Sequence, residues 1–334
     1  MPSTGVSRPA ARREALHVTA AALVDGAGRV LISRRADGVH QGGLWEFPGG
    51  KVERQETPLE SLRRELAEEL GIGLQAARPL IQVHHDYGDR AVWLDVWRVA
   101  SWSGEPRGQE GQAVRWAQPK SLDARLFPRA DVPVIAALKL PSVYLITPEP
   151  GSDPEGFLKT LAGCVRGGIR LIQLRAKSLE ARRYRALARQ ALALCEDHGA
   201  TLLLNAEPDL ASDLGAPGVH LTGERLLRLR GRPFGADYWV AASCHNAGEL
   251  AHACRIGVDF AVLSPVRFTL SHPASRPLGW DRFRALVCAA TVPVYALGGM
   301  GTGDLGTAWE HGGQGVACTS ALWRRISPPT DSVY

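Results

Sequence analysis

Residues 50–72 read GKVERQETPLESLRRELAEELGI, and no other stretch of this 334-residue chain restricts local structure so tightly. Thr57 and Glu60 form a T-x-x-E capping box, and Pro58 stands at the first helical position, where a missing N–H costs nothing. The pattern predicts a helix from about Pro58 to Leu70 that stops at Gly71. Leu59, Leu62, Leu66 and Leu70 form an apolar stripe that needs a core to pack against. Glu65, Glu68 and Glu69 fall at i, i+3 and i+4 on a separate face. Like charges at i+4 repel by a few tenths of a kcal/mol, so this face invites one or more hard cations, Mg2+ or Mn2+. Three glutamates alone would more often be a solvated face. The neighbouring F-P-G-G-K loop, Glu56 and Arg64 argue for a site instead.

The length suits two domains. With 45% apolar and 22% charged residues the composition is that of a globular protein, and no apolar run approaches the roughly 18 residues needed to span a bilayer. The first 15 residues contain no apolar segment of the secretory kind and read as a tail. The net charge of +5 is not gathered into a basic block. It fits small anionic ligands, nucleotides and other phosphorylated molecules, and not nucleic acid or a membrane. Six cysteines lie in the C-terminal half without C-x-x-C or zinc spacing, so the expectation is a reduced, cytoplasmic protein with buried thiols.

Pro141 separates two regions with different rhythms. Over residues 16–140, strands are expected at His17–Val24, Val30–Ser33, Ile81–Tyr87, Val92–Trp102 and Ala113–Ala117, with a second helix in VPVIAALKL at residues 132–140. This is an α+β layered domain. Over residues 142–326 short apolar strands alternate with helices. They are Val143–Thr147, Arg170–Arg175, Thr201–Asn205, Gly218–Leu221, Trp239–Ser243, Phe260–Ser264, Val294–Leu297 and Gly315–Thr319. Eight strands in a βα rhythm predict a small TIM barrel, an α/β fold whose functional residues gather at the strand C-terminal ends. Those ends are polar here, and Gly298, Gly299 and Ser320 follow the last two strands, where such barrels cradle phosphate on backbone N–H groups. Residues 327–334 read as a frayed tail.

The spacing G-x5-E-x7-R-E-U-x-E-E-x-G-U, with U aliphatic, is matched at every fixed position of residues 50–72 and resembles the Nudix hydrolase box. The first domain is then an α/β/α sandwich. ISRRADGVHQGGLWEFPGGK, G-Q-E-G-Q at residues 108–112 and F-P-R-A-D-V-P-V-I at residues 127–135 resemble the MutT branch, which removes oxidised nucleotides from the precursor pool. The resemblance implies that Glu65, Glu68 and Glu69 hold Mg2+, joined by the Gly49 carbonyl. Glu56, grouped with this metal site, and Arg64 would orient the ligands. Arg35 would contact phosphate or sugar, Phe47 would line the base pocket, and Glu110 would act as a further ligand or base. Asp131 stands where MutT carries a purine-reading asparagine. The implied reaction is hydrolysis of a nucleoside triphosphate, 8-oxo-dGTP foremost, to the monophosphate and pyrophosphate. His84 and His85 are expected on a strand without a catalytic role.

The barrel region resembles thiamine phosphate synthase and its relative TenI, the thiazole tautomerase. The likeness rests on Q-x-R-x-K at residues 173–177, H-L at 220–221, S-x-H at 243–245 and G-G-M at 298–300. It implies that Gln173, Arg175, Lys177 and Asn205 grip a diphosphate, with Ser243 and Thr269 also among the substrate contacts. Three positions depart from the synthase pattern: Ala206 and Arg225 replace the aspartates of its metal site, and His272 replaces a lysine. A tautomerase needs no metal, only a group titrating near neutrality, and His245 fits. Synthase, tautomerase and a non-catalytic phosphate-binding module all remain open at this point, as does a hydrolase domain acting on thiamine-pathway diphosphates.

Overall fold

The computed structural model describes residues 15–38, 41–269 and 276–323; the two expected tails, His40 and His272 lie outside these. The first domain holds β1 (Leu16–Leu23), β2 (Val30–Arg34), β3 (Trp45–Glu46), α1 (Pro58–Leu70), β4 (Gly73–Asp86), β5 (Ala91–Ser103), β6 (Val114–Ala117) and α2 (Val132–Lys139). Two three-stranded sheets form, ordered β1-β5-β4 and β3-β2-β6. β1 runs parallel to β5, while β4 and β5 are antiparallel.

Helix α1 has the ends its sequence predicts. Thr57 and Glu60 close the capping box, and Gly71 takes the left-handed conformation at φ 68°. Leu62, Leu66 and Leu70 are fully buried against Ala21, Leu23, Leu31 and Val99. Burying each contributes about 2 kcal/mol. The stripe therefore fixes α1 on the sheet and turns the glutamate face away from the core. A second core, around Ile32, Phe47, Val83 and Ile135, joins α2 to the remaining strands.

β4 begins well before the expected Ile81. Its first half carries Pro79 and register shifts at Leu74/Ala76, Ala76/Ala77 and Pro79/Ile81, so no clean two-residue alternation survives in the sequence. The two-residue strand β3 is too short to leave a periodic signal.

From Val143 onward the chain closes an eight-stranded parallel barrel, ordered β10-β11-β12-β13-β14-β7-β8-β9. The strands are β7 (Val143–Ile146), β8 (Leu171–Leu174), β9 (Thr201–Leu204), β10 (Gly218–Leu221), β11 (Trp239–Cys244), β12 (Phe260–Leu263), β13 (Val294–Ala296) and β14 (Gly315–Cys318). Helices α3 (Pro154–Arg166), α4 (Ala181–Asp197), α5 (Pro208–Asp213), α6 (Gly223–Arg228), α7 (Ala247–Ile256), α8 (Gly279–Val287), α9 (Leu305–Glu310) and α10 (Ser320–Trp323) complete the βα order. Tyr144, Phe260 and Tyr295 fill the barrel interior. All six cysteines are free thiols. No described helix is long and apolar enough to cross a membrane.

Candidate functional site

Two sites emerge, one in each domain. In the first, α1 presents its glutamates to the loop that follows β3. Arg64 ties two of them to Glu56, which precedes the helix: its guanidinium bonds Glu56 at 2.8 and 3.0 Å, Glu65 at 2.9 Å and Glu68 at 3.1 Å. That bidentate bond holds the Glu56 carboxyl down at about 2, so Glu56 is ionised at any physiological pH. Glu69 lies deeper and accepts from the Gly49 N–H at 3.0 Å. Burial pushes its pKa up to about 8 despite that bond, and Glu46, Glu65 and Glu110 push the same way. Glu110 therefore belongs to the same field, although it sits on an exposed loop.

Of the two glycines ahead of the helix, Gly49 is sterically required and Gly50 leaves the Glu65 carboxylate its present place. A Cβ on Gly49, at φ 149°, would meet the Thr19 carbonyl oxygen at 2.1 Å; one on Gly50 would meet the Glu65 carboxylate at 2.2 Å. The backbone thus approaches the acidic face as closely as it can.

The donor set suits a hard divalent cation: every candidate ligand is an oxygen, and Glu69 has more negative than positive charge around it. Among the described residues, however, no three His, Cys, Asp or Glu side chains are gathered about one point that could hold a metal ion. In this arrangement Arg64 occupies the carboxylates instead.

Beside the acidic face, Arg35 forms an ion pair with the half-buried Glu46. Phe47 is buried against Phe127, ring centroids 5.7 Å apart. Asp131 is fully buried close to Glu46 and Arg35. Burial, aided by the Glu46 charge and opposed by Arg35, raises its pKa to about 8. Tyr87 bonds the Ala130 N–H at 3.2 Å and feels the Asp131 charge. Sequence reasoning quoted Glu46 without giving it a role and missed Tyr87; the position of Glu46 one residue before Phe47 was the available signal. His84 lies on β4, where its ring stacks on Trp93 at 5.0 Å.

In the barrel, the polar strand ends divide into an interior chain and a rim. Buried Gln173 bonds the Tyr144 hydroxyl. That hydroxyl pairs with His220 Nδ1 at 2.9 Å, and His220 Nε2 pairs with Ser243 Oγ at 2.8 Å. Burial, aided by the Lys177 ammonium, drops the His220 pKa to about 3, so the ring stays neutral and connects two hydroxyls. Gln173 and Ser243 thus sit around a histidine that sequence reasoning noted only as part of H-L.

On the rim, Arg175 bonds Glu149 at 2.9 Å, and the same carboxylate accepts from the Lys177 and Ser178 backbone N–H groups at 3.2 Å each. Glu149 was missed, although it stands just past the end of β7, where polar residues are informative. Asn205 accepts from Arg225 at 2.8 Å, and Arg225 also bonds Glu207 at 2.8 Å. Arg228 reaches Glu207 as well, at 3.1 Å. A divalent cation does not fit here. Ala206 offers no donor, and the guanidinium of Arg225 already engages Asn205 and Glu207. His245 is exposed and pairs with Glu249 at 2.9 Å, outside the interior chain. Gly298 and Gly299 follow β13 and face residues 265–268; Ser320 opens α10; Thr269 is half-buried in the loop after β12.

Comparison with known proteins matches the two domains separately. A family model described as NUDIX domain covers residues 19–137, and one described as thiamine monophosphate synthase covers residues 143–322. The 8-oxo-dGTP diphosphatase of Escherichia coli is 44% identical over 110 residues, 33% of this chain and 85% of that protein. The thiamine-phosphate synthase of Thermus thermophilus is 36% identical over 182 residues, 54% of this chain and 88% of that protein. That of Chromobacterium violaceum is 33% identical over 190 residues, 55% and 89% of the two chains. The capped glutamate helix and the closed parallel barrel agree with these matches, and the chain belongs to the Nudix family through its first domain and to the thiamine monophosphate synthase family through its second.

Proposed function

We propose that the first domain is a Mg2+-dependent nucleoside triphosphate pyrophosphohydrolase that converts 8-oxo-dGTP and water to 8-oxo-dGMP and pyrophosphate, and so cleans the nucleotide pool. The observation that carries the substrate reading is Asp131. Its burial keeps the carboxyl neutral below about pH 8. A neutral carboxyl offers one O–H donor and one C=O acceptor, the same pair an amide side chain offers to a purine edge. Phe47 and Phe127, packed on each other, would supply an aromatic wall, and Arg35 would contact a phosphate or sugar. The name of the Escherichia coli relative points to the same substrate.

A divalent cation held by Glu65, Glu68 and Glu69, with the Gly49 carbonyl, would neutralise the diphosphate and acidify the attacking water. Arg64 keeps Glu65 and Glu68 in place and holds Glu56 ionised. Glu110, on its exposed loop, is free to approach and take the water's proton. The test is a steady-state assay with Mg2+ on 8-oxo-dGTP, dGTP and thiamine-pathway diphosphates. kcat/KM should be highest for 8-oxo-dGTP; equal values for 8-oxo-dGTP and dGTP would remove the sanitising role.

For the barrel we infer a phosphorylated-ligand site that works without a divalent cation, using Arg175, Lys177 and Arg225 with backbone N–H groups near Gly298, Gly299 and Ser320. The His245–Glu249 pair favours proton transfer, as in a thiazole tautomerase, over the ionisation of a diphosphate ester.

A further inference from the structure

The two domains meet around a cavity of about 610 Å3. Its wall takes Arg78 and Arg98 from the first domain, Lys139 from α2, and Arg170 from the barrel, and it contains no aspartate or glutamate. Arg78 and Arg98 are direct cross-strand partners in the β4–β5 pair. Like charges directly opposite in an antiparallel ladder destabilise it. Neither guanidinium has a carboxylate partner among the described residues. Arg78 bonds only its neighbour's carbonyl, at 3.0 Å, and stacks on Trp309 at 4.1 Å. Arg170 donates to the carbonyls of Val165 and Ile169. Asp259 feels the Lys139 charge but is itself paired with Arg232 at 2.8 Å. Burial pulls Arg78 down to about 10, with the Arg98 charge pushing the same way, and burial lowers Arg98 as well. Four cations thus line a half-open cavity whose wall holds no acidic side chain, and two of them are placed where they repel.

We propose that this seam between the domains is a binding site for a small phosphorylated anion carrying at least two negative charges, gripped by Arg78 and Arg98 from one domain and Arg170 from the other. The arginines offer forked N–H donors that match phosphate oxygens. The cavity has the size of ordinary small-molecule sites. Because the ligand would touch both domains, its binding would clamp them together. It is a different place from the acidic face of α1 and from the barrel mouth, and it needs no divalent cation.

The test uses the full chain with EDTA present, so that the acidic face binds no diphosphate through a metal. Inorganic pyrophosphate and, separately, orthophosphate are titrated by calorimetry, and thermal melts are recorded with and without each. Wild type should bind pyrophosphate, more weakly orthophosphate, and melt at a higher temperature with either. Arg98→Met should weaken pyrophosphate binding by about tenfold or more. The same variant should melt at a higher temperature than wild type without anion, because it removes a buried repulsion. Arg175→Gln, in the barrel mouth, should remove only the binding that belongs to the barrel site and leave the event that depends on Arg98 and Arg170 in place. Should Arg98→Met fail to fold, Arg170→Gln at the rim reads the same loss. An unchanged affinity in both variants, no binding at millimolar pyrophosphate, or loss confined to Arg175→Gln would each overturn the proposal.

Discussion

The two family sites solve phosphate binding with opposite charge. On α1, Glu65, Glu68 and Glu69 outnumber the single Arg64 that bonds the first two, and burial, with neighbouring negative charge adding to it, raises the Glu69 pKa to about 8. At the barrel rim the balance is reversed: Arg175, Lys177, Arg225 and Arg228 outnumber Glu149 and Glu207. An acidic site meets a polyphosphate only through a cation that both can share. A basic site meets it directly. On the functions proposed above, one chain would carry a metal-dependent design and a metal-independent one, and the family to which the second belongs does not by itself decide which design it uses.

The largest expected effect breaks the acidic side. Glu69→Gln removes the carboxylate of the α1 face that is anchored by the Gly49 N–H. Hydrolysis of 8-oxo-dGTP should fall roughly a thousandfold, equivalent to ~4 kcal/mol of transition-state stabilisation. Since Gln is nearly the same size, melting should not suffer. A loss of under about tenfold in single-turnover rate would move the essential ligand elsewhere on α1.

A smaller effect is expected from converting one design into the other. The double variant Ala206→Asp, Arg225→Asp restores two carboxylates beside Asn205 and removes the guanidinium that bonds it. Wild type should bind thiamine monophosphate equally well with EDTA or with Mg2+. The double variant should lose about tenfold to a hundredfold in affinity with EDTA and recover most of it on adding Mg2+. If wild-type binding itself collapsed in EDTA, the barrel would be metal-dependent and the contrast with the acidic site would disappear.

What was legible in the sequence follows the range of the forces involved. The α1 boundaries, its cap and its leucine stripe depend on residues within a few positions, and the capping box and Gly71 stand where expected. The eight barrel strands were visible because each is a short apolar run bounded by helices. What was hidden depends on partners far apart in the chain. The early start of β4 is obscured by Pro79 and three register shifts. Glu149 shares its carboxylate with residues 26 to 29 positions away, and His220 links Tyr144 to Ser243 across the barrel. Likewise Arg78 and Arg98 are unremarkable in sequence and become opposed only through strand register. The departures at Ala206 and Arg225 were legible, but not that Arg225 would turn to bond Asn205.

The subtlest effect concerns Asp131, an acid that on the reading proposed above would work uncharged. Its folded pKa of about 8 stands above the ordinary 3.8 because burial disfavours the anion. Between those two values the unfolded chain has released the proton and the folded chain still holds it. The folded state then binds more protons, so stability declines as pH rises from about 4 to about 8 and is level beyond. Asp131→Asn keeps the donor and acceptor pair without a titrating proton. It should therefore stabilise the protein at pH 7, by on the order of a few kcal/mol, and flatten the pH dependence of its melting over that window. In catalysis the two should differ only several-fold at pH 7. Above pH 8 the wild-type kcat/KM for 8-oxo-dGTP should drop as the donor is lost, while Asp131→Asn holds its value. Parallel alkaline limbs in the two proteins would show that Asp131 does not read the base with its proton.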